Sequence, residues 1–216
     1  MTERLPRPVR LVIDWVVTVA VAVAVVLAVK AWVVNPYRIP SSSMEPTLHC
    51  ARPAPGCQAR FSDRVLANRF VYHFTNPERA DIVVFETTGE IRRRCMEGGT
   101  FVKRIIGLPG ETVVINGDGL VSIDGRRLDE SDYLEPARRG GTFGAWRVEE
   151  GHYFVLGDNR RESCDSRTWG LLPEDRIVGE VFAVYWPPQR IGLAAILAGL
   201  SVGSLGFRAR RRSRRS

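Results

Sequence analysis

The sequence predicts a mainly β protein: an antiparallel β-sheet domain anchored by an N-terminal and a C-terminal transmembrane helix. Three observations carry this. Residues 11–34 are predominantly apolar, with only Asp14 and Lys30 charged. Between residues 36 and 190, short runs rich in Val, Ile, Phe and Tyr are cut by Gly, Pro, Asn or Asp about every ten residues, a strand-and-turn rhythm, and no long stretch sustains a helical period. Residues 191–207 are again uncharged, and six arginines follow between Arg208 and Arg215.

The first segment, Leu11 to Val34, has 24 residues. At ~1.5 Å rise per residue it exceeds the ~30 Å hydrocarbon thickness. A cleavable signal peptide is the competing reading: a basic start, an apolar middle, then Ala28-Val29-Lys30-Ala31. The run is long for that, and a lysine precedes the would-be cut, so an uncleaved anchor fits better. Arg4, Arg7 and Arg10 place residues 1–10 on the cytoplasmic side. The second span, 191–207, ends in the Arg-rich tail 208–216, which is also assigned to the cytoplasm. Two spans leave 36–190 outside. Ala20, Ala24 and Ala28 in the first span and Ala195, Gly199 and Gly203 in the second make small-residue ridges that could pack.

Within 36–190 the expected strands are Arg64 to Asn68, Phe70 to Phe74, Asp81 to Phe85, Phe101 to Ile106, His152 to Leu156 and Ile177 to Trp186. Thr112 to Ile115 and Leu120 to Ile123 form a hairpin around Asn116-Gly-Asp-Gly119, and Asp124-Gly125 marks a further turn. Glu130 to Gly151 is polar and Gly-rich, and reads as an irregular insertion.

The net charge of +7 does not predict a nucleic-acid surface. The tail contributes +6 and residues 1–10 contribute +2, while 36–190 holds 21 basic against 22 acidic residues. The basic ends suit topology and the lipid bilayer instead. All four cysteines, Cys50, Cys57, Cys95 and Cys164, fall in the external segment, where disulfides persist. Cys50 and Cys57 bracket the turn-rich Ala-Arg-Pro-Ala-Pro-Gly, so local closure is expected, with Cys95–Cys164 following by default. A zinc site using His49 would lack the paired CxxC spacing, and neither metal nor cofactor is expected.

Of 31 basic residues only Lys30 and Lys103 are lysines. Arginine keeps its proton, whereas a lysine buried in apolar surroundings can lose it. Lys103 sits in the apolar Phe101-Val-Lys-Arg-Ile-Ile-Gly-Leu-Pro-Gly110. Some sixty residues earlier stands Pro40-Ser-Ser-Ser-Met-Glu-Pro-Thr-Leu48. A serine and a desolvated lysine are the parts of a Ser/Lys hydrolase. Two more motifs, Arg79-Ala-Asp-Ile-Val-Val-Phe85 and Gly157-Asp-Asn-Arg-Arg-Glu-Ser-Cys-Asp-Ser-Arg167, complete the set.

In identity, order and position behind an N-terminal anchor, these four motifs resemble bacterial type I signal peptidases, from about Trp15 to Trp186. The resemblance implies a plasma-membrane serine endopeptidase with its catalytic domain on the extracytoplasmic side. Such an enzyme removes signal peptides from exported precursors, cutting after an Ala-x-Ala site. By motif position, Ser43 is the nucleophile and Lys103 the general base. Ser41 joins the Ser43 N–H in the oxyanion hole, and Ser163 hydrogen-bonds the lysine amine. Asp165 and Arg167 support the site, and Asp158 and Arg160 order the same loop. Ile39, Pro40, Met44, Leu48 and Val102 would line the subsite for the residue before the cut, and Tyr37, Ile39 and Val84 the one two residues further back. Glu111 replaces a frequent Asp, and Cys164 stands where small residues are common. Among rival chemistries, a Ser-His-Asp triad could draw on His49, His73 or His152, but none lies in a triad motif. Ser-x-x-Lys is absent around Ser43. The non-enzymatic rival is a membrane-anchored binding module in which Ser41 to Ser43 is only a polar turn.

Overall fold

A computed structural model describes residues 7–32 and 34–193. Helix α1 (Arg7–Trp32) is the one described helix long and apolar enough to cross a membrane. No residue of its segment Val9–Val26 is buried among the described residues. An apolar helix with no partner needs an apolar solvent, so this arrangement suits a membrane anchor.

The chain then folds as β1 (Val34–Arg38), β2 (Arg64–Asn68), β3 (Ile82–Glu86), helix α2 (Gly89–Cys95), β4 (Thr100–Gly107), β5 (Thr112–Ile115), β6 (Val121–Ile123), β7 (Arg126–Arg127), β8 (Gly144–Arg147), β9 (His152–Leu156), helix α3 (Ser166–Trp169), β10 (Leu172–Pro173), β11 (Ile177–Trp186) and β12 (Gly192–Leu193). An antiparallel sheet runs β1-β2-β11-β3-β4-β9-β10, with β12 added to β11. A smaller sheet runs β7-β6-β5-β8. Ile106 and Phe154 from the large sheet pack with Val113, Ile115 and Val121 from the small one. A second cluster, with Ile39, Met44, Leu48, Val84 and Val184, lies behind the turn that carries the serines.

The expected hairpin forms, with Val113 opposite Ile123 and Ile115 opposite Val121, and Asp124 and Gly125 take the positive φ that their turn requires. Three expectations change. Phe70 to Phe74 is not a strand but a 3-10 turn, Val71–His73. Asn68 Oδ1 accepts from the backbone N–H of Phe70 and Val71, ending β2 and turning the chain. The segment Glu130 to Gly151 is not wholly irregular, because β8 pairs with β5 and Trp146 packs on Phe154 at 5.0 Å. Residues expected to open a second span are extended: Gly192 and Leu193 pair with Val184 and Ala183. The rest of that span, the tail 208–216, most of the N-terminal segment 1–10 and the second small-residue ridge lie outside the described residues.

Candidate active site

Two elements bring the serines to the lysine. β1 ends at Arg38, and Ser42–Met44 then form a single 3-10 turn over the apolar cluster containing Ile39, Met44 and Leu48. The first N–H groups of such a turn have no intrahelical acceptor, which leaves the Ser43 N–H available. Lys103 projects from the middle of β4, opposite Val83 in the pairing with β3. Its Nζ lies 2.7 Å from Ser43 Oγ. Ser41 Oγ is 3.4 Å from the same oxygen.

Lys103 is 3% exposed and makes no ion pair among the described residues. Burial pushes its amine down to about 8; the charges of Asp165, Glu97 and Asp158 act against that shift without reversing it. The apolar setting comes from strand neighbours, and the Phe101 ring lies 5.3 Å from Nζ.

The loop after β9 clamps the serine turn from behind. Asn159 N–H donates to Ser43 O at 3.0 Å and Asn159 Nδ2 to Ser42 O at 3.2 Å. Ser42 Oγ donates to Glu162 at 2.9 Å. Gly157 is a glycine because its backbone passes against this turn: a Cβ there would sit 2.4 Å from Ser43 O and 2.3 Å from Ser163 Oγ. Asp165 and Arg167 form a buried, two-toothed pair. Arg167 also donates to Arg160 O and Gly140 O, tying the loop to the segment before β8.

Asp158 and Arg160 are both buried in the loop, but each is satisfied from elsewhere. Asp158 accepts two bonds from Arg104 at 2.8 and 2.6 Å, and one from Thr47 Oγ1 at 2.5 Å. Arg160 pairs with Glu130, which also accepts from Tyr133 Oη. Arg104, Thr47 and Glu130 are supporting residues that the sequence reading missed. Arg104 stands beside Lys103 within a motif, a usable signal; Glu130 lies in a segment read as irregular and gave none. Glu45 was missed as well. Burial works against its carboxylate, yet the bonds from His49, Cys50 N–H and Gln58 N–H leave its pKa lowered. One expected contact is not made: Ser163 Oγ is buried with no hydrogen-bond partner among the described residues, so it does not hold the lysine amine here.

In front of the dyad lies a cleft of about 630 Å³. Tyr37, Ile39, Pro40, Met44 and Val102 line it, as expected. Leu48 and Val84 do not; both are fully buried behind it. Cys95 and Cys164 are bonded and line one wall, and Cys50 is bonded to Cys57 at the base of a loop whose Ala54 and Pro55 line another. None of the three histidines reaches Ser43: His49 pairs with Glu45, His73 sits in the turn after β2, and His152 contacts Glu150 O. No group of three or more metal-ligating side chains occurs among the described residues.

The family model for "Signal peptidase, peptidase S26" matches residues 12–186. The chain belongs to that family. It is accordingly a serine peptidase of the signal peptidase class, a hydrolase, and its apolar N-terminal helix is consistent with the family's membrane anchoring. It is 36% identical to a probable signal peptidase I-2 of Synechocystis over 82% of this chain and 74% of that one. It is 34% identical to signal peptidase I P of Bacillus subtilis subsp. natto over 83% and 92%. A crystal structure of a signal peptidase I from Enterococcus faecalis V583 is 31% identical, covering 50% of this chain and 97% of that one with a TM-score of 0.40. Ser43 and Lys103 lie within hydrogen-bond reach of one another, while Ser163, unpartnered among the described residues, departs from what the resemblance implies.

Proposed function

We propose that this signal peptidase works by a Ser43–Lys103 dyad that cleaves exported precursors after an Ala-x-Ala site, on the extracytoplasmic side of the plasma membrane. The 2.7 Å approach of a buried, carboxylate-free lysine to Ser43 Oγ carries the reading. A serine hydroxyl attacks only when a base takes its proton. Burial keeps part of the Lys103 population neutral near physiological pH.

In the first half-reaction the Ser43 proton passes to Lys103 Nζ as Oγ bonds to the scissile carbonyl carbon. The oxyanion is held by the Ser43 N–H and the Ser41 hydroxyl, each such donor being worth ~3–4 kcal/mol of barrier. The C–N bond then breaks, and Nζ returns the proton to the leaving amine. Water, deprotonated by Lys103 Nζ, then attacks the acyl carbon; the C–Oγ bond breaks and Nζ returns the proton to Ser43 Oγ.

Ile39, Met44 and Val102 give the cleft an apolar floor suited to small side chains, with Tyr37 shaping the further subsite. Two disulfides, both in the segment assigned outside, support the orientation, since such bonds persist in oxidising compartments.

The test is cleavage of a precursor in detergent. Ser43→Ala and Lys103→Arg should each lose about 10⁴-fold or more in turnover while remaining folded. Arginine keeps the charge and the reach but cannot give up its proton. Lys103→Arg activity within tenfold of wild type would remove the dyad.

A further inference from the structure

We propose that Arg38 and Arg52 form a subsite that selects precursors carrying a carboxylate close to the scissile bond; the proposal rests on the peptidase reading above. A groove of about 590 Å³ lies beside the catalytic cleft, lined by Arg38, Pro40, Ala51, Arg52, Ala54 and Ser62 among others. Arg38, Pro40 and Ala54 also line the cleft, so the two spaces join only three residues before Ser43. A chain held at Ser43 therefore reaches the groove within a few residues of the bond being cut.

The groove is cationic and has no acidic lining residue. Arg38 and Arg52 are exposed, and neither is ion-paired among the described residues. Asp63, next to the lining residue Ser62, is fully buried and already accepts from Arg190 at 3.0 and 3.1 Å. The positive charge is concentrated further by the strand pairing. Arg38 faces Arg64 directly across β1 and β2, a like-charge pair that disfavours the sheet. Arg64 lies 6.0 Å over the Trp186 ring and Arg60 5.3 Å over Phe61, and neither makes an ion pair among the described residues.

The wall carrying Arg52 is held in place. The Cys50–Cys57 bond closes it, and Arg52 N–H to Ala59 O (2.9 Å) and Cys57 N–H to Ala54 O (3.1 Å) fix its course. The backbone that carries Arg52 therefore loses little freedom on binding. The complement of such a wall is an acidic side chain of the precursor.

The experiment uses the full-length enzyme in nonionic detergent. Peptides carry a single Glu or Lys at each of the four positions on either side of the cut, alongside a neutral parent. The wild type should favour Glu over Lys by about 5–10-fold in kcat/KM at one or two adjacent positions, the scale of a pair of partly exposed ion pairs. The preference should shrink in high salt. The double charge reversal Arg38→Glu with Arg52→Glu should invert it, and Arg52→Glu alone should weaken it. Equal rates for Glu and Lys at every position would overturn the proposal, as would a preference that survives the reversal. A reversal variant that loses activity equally on all peptides, and only in phosphatidylglycerol vesicles, would assign the arginines to lipid and also overturn it. Cleavage of the neutral parent, present in wild type and absent in Ser43→Ala, reports on the peptidase reading separately.

Discussion

Lys103 and Arg104 are neighbours on β4, both almost wholly buried, and they meet opposite electrostatic fates. Successive strand residues point to opposite faces. On one face Lys103 meets Ser43 and apolar side chains, and desolvation lowers its pKa to about 8. On the other, desolvation acts on Arg104 in the same sense, but the paired Asp158 carboxylate outweighs it and the pKa is raised. The Tyr133 ring, 4.1 Å from the Arg104 guanidinium, adds a favourable face. Burial alone therefore does not set a side chain's role. A buried cation with a carboxylate is a strut; a buried lysine without one can give up its proton, which the proposed base role requires.

The largest expected effect breaks the strut. Asp158→Ala leaves Arg104 charged and unpaired in the interior and should destabilise the fold by about 3–5 kcal/mol. Replacing both partners, Arg104→Met with Asp158→Leu, should recover much of that loss, because the desolvation of two charges goes with them. Denaturant unfolding of the three variants decides it. A double variant no more stable than Asp158→Ala would mean that Thr47, which also donates to Asp158, needs the carboxylate for itself.

The next effect reads the base. Only neutral Lys103 can take the Ser43 proton, so kcat/KM should rise with pH and level off above about 8. Below that value each unit of pH should cost about tenfold. Glu97, an exposed carboxylate on the cleft wall, favours the charged amine. Glu97→Gln should therefore move the midpoint to lower pH and raise the rate below it. A profile that is flat from pH 6 to 9 would take the base role away from Lys103.

The two faces of β4 were not equally legible in the sequence. Ser43, Lys103 and the glycine–aspartate loop are carried by local strings, and scarcity of lysine made Lys103 conspicuous. Strands β2 to β6, β9 and β11 were legible for the same local reason, alternation and breakers lying within a few residues of each other, whereas β1, β7, β8, β10 and β12 are short or irregular and were not. The strut was not legible, because Asp158 and Arg104 are 54 residues apart and Arg160 and Glu130 are 30 apart. Nothing in either string says which charge will be buried against which. The misread at Phe70 to Phe74 has a related cause. Aromatic residues favour strands, but Asn68 captures the N–H groups of Phe70 and Val71, and a side-chain bond overrides the propensity of the run.

The smallest expected effect concerns Ser163, where the resemblance and the geometry part. The resemblance implies a hydroxyl bonded to the lysine amine; the structure leaves Ser163 Oγ buried and unpartnered. An unmet buried hydroxyl disfavours the fold by about 1–3 kcal/mol, so Ser163→Ala should leave stability unchanged or raise it. Ser163 Oγ lies beside the serine turn, across the gap that Gly157 keeps open, and it is expected to accept from the Lys103 ammonium when the acyl transfer draws the two together. Losing that partner should lower kcat about fivefold with KM nearly constant, because the interaction belongs to the transition state. The pH midpoint should stay where it is, because the resting Lys103 amine makes no bond to Ser163 among the described residues. A Ser163→Ala protein that is less stable by a kcal/mol or more, with KM rising as fast as kcat falls, would make Ser163 a packing residue of the loop and leave Lys103 held by Ser43 alone.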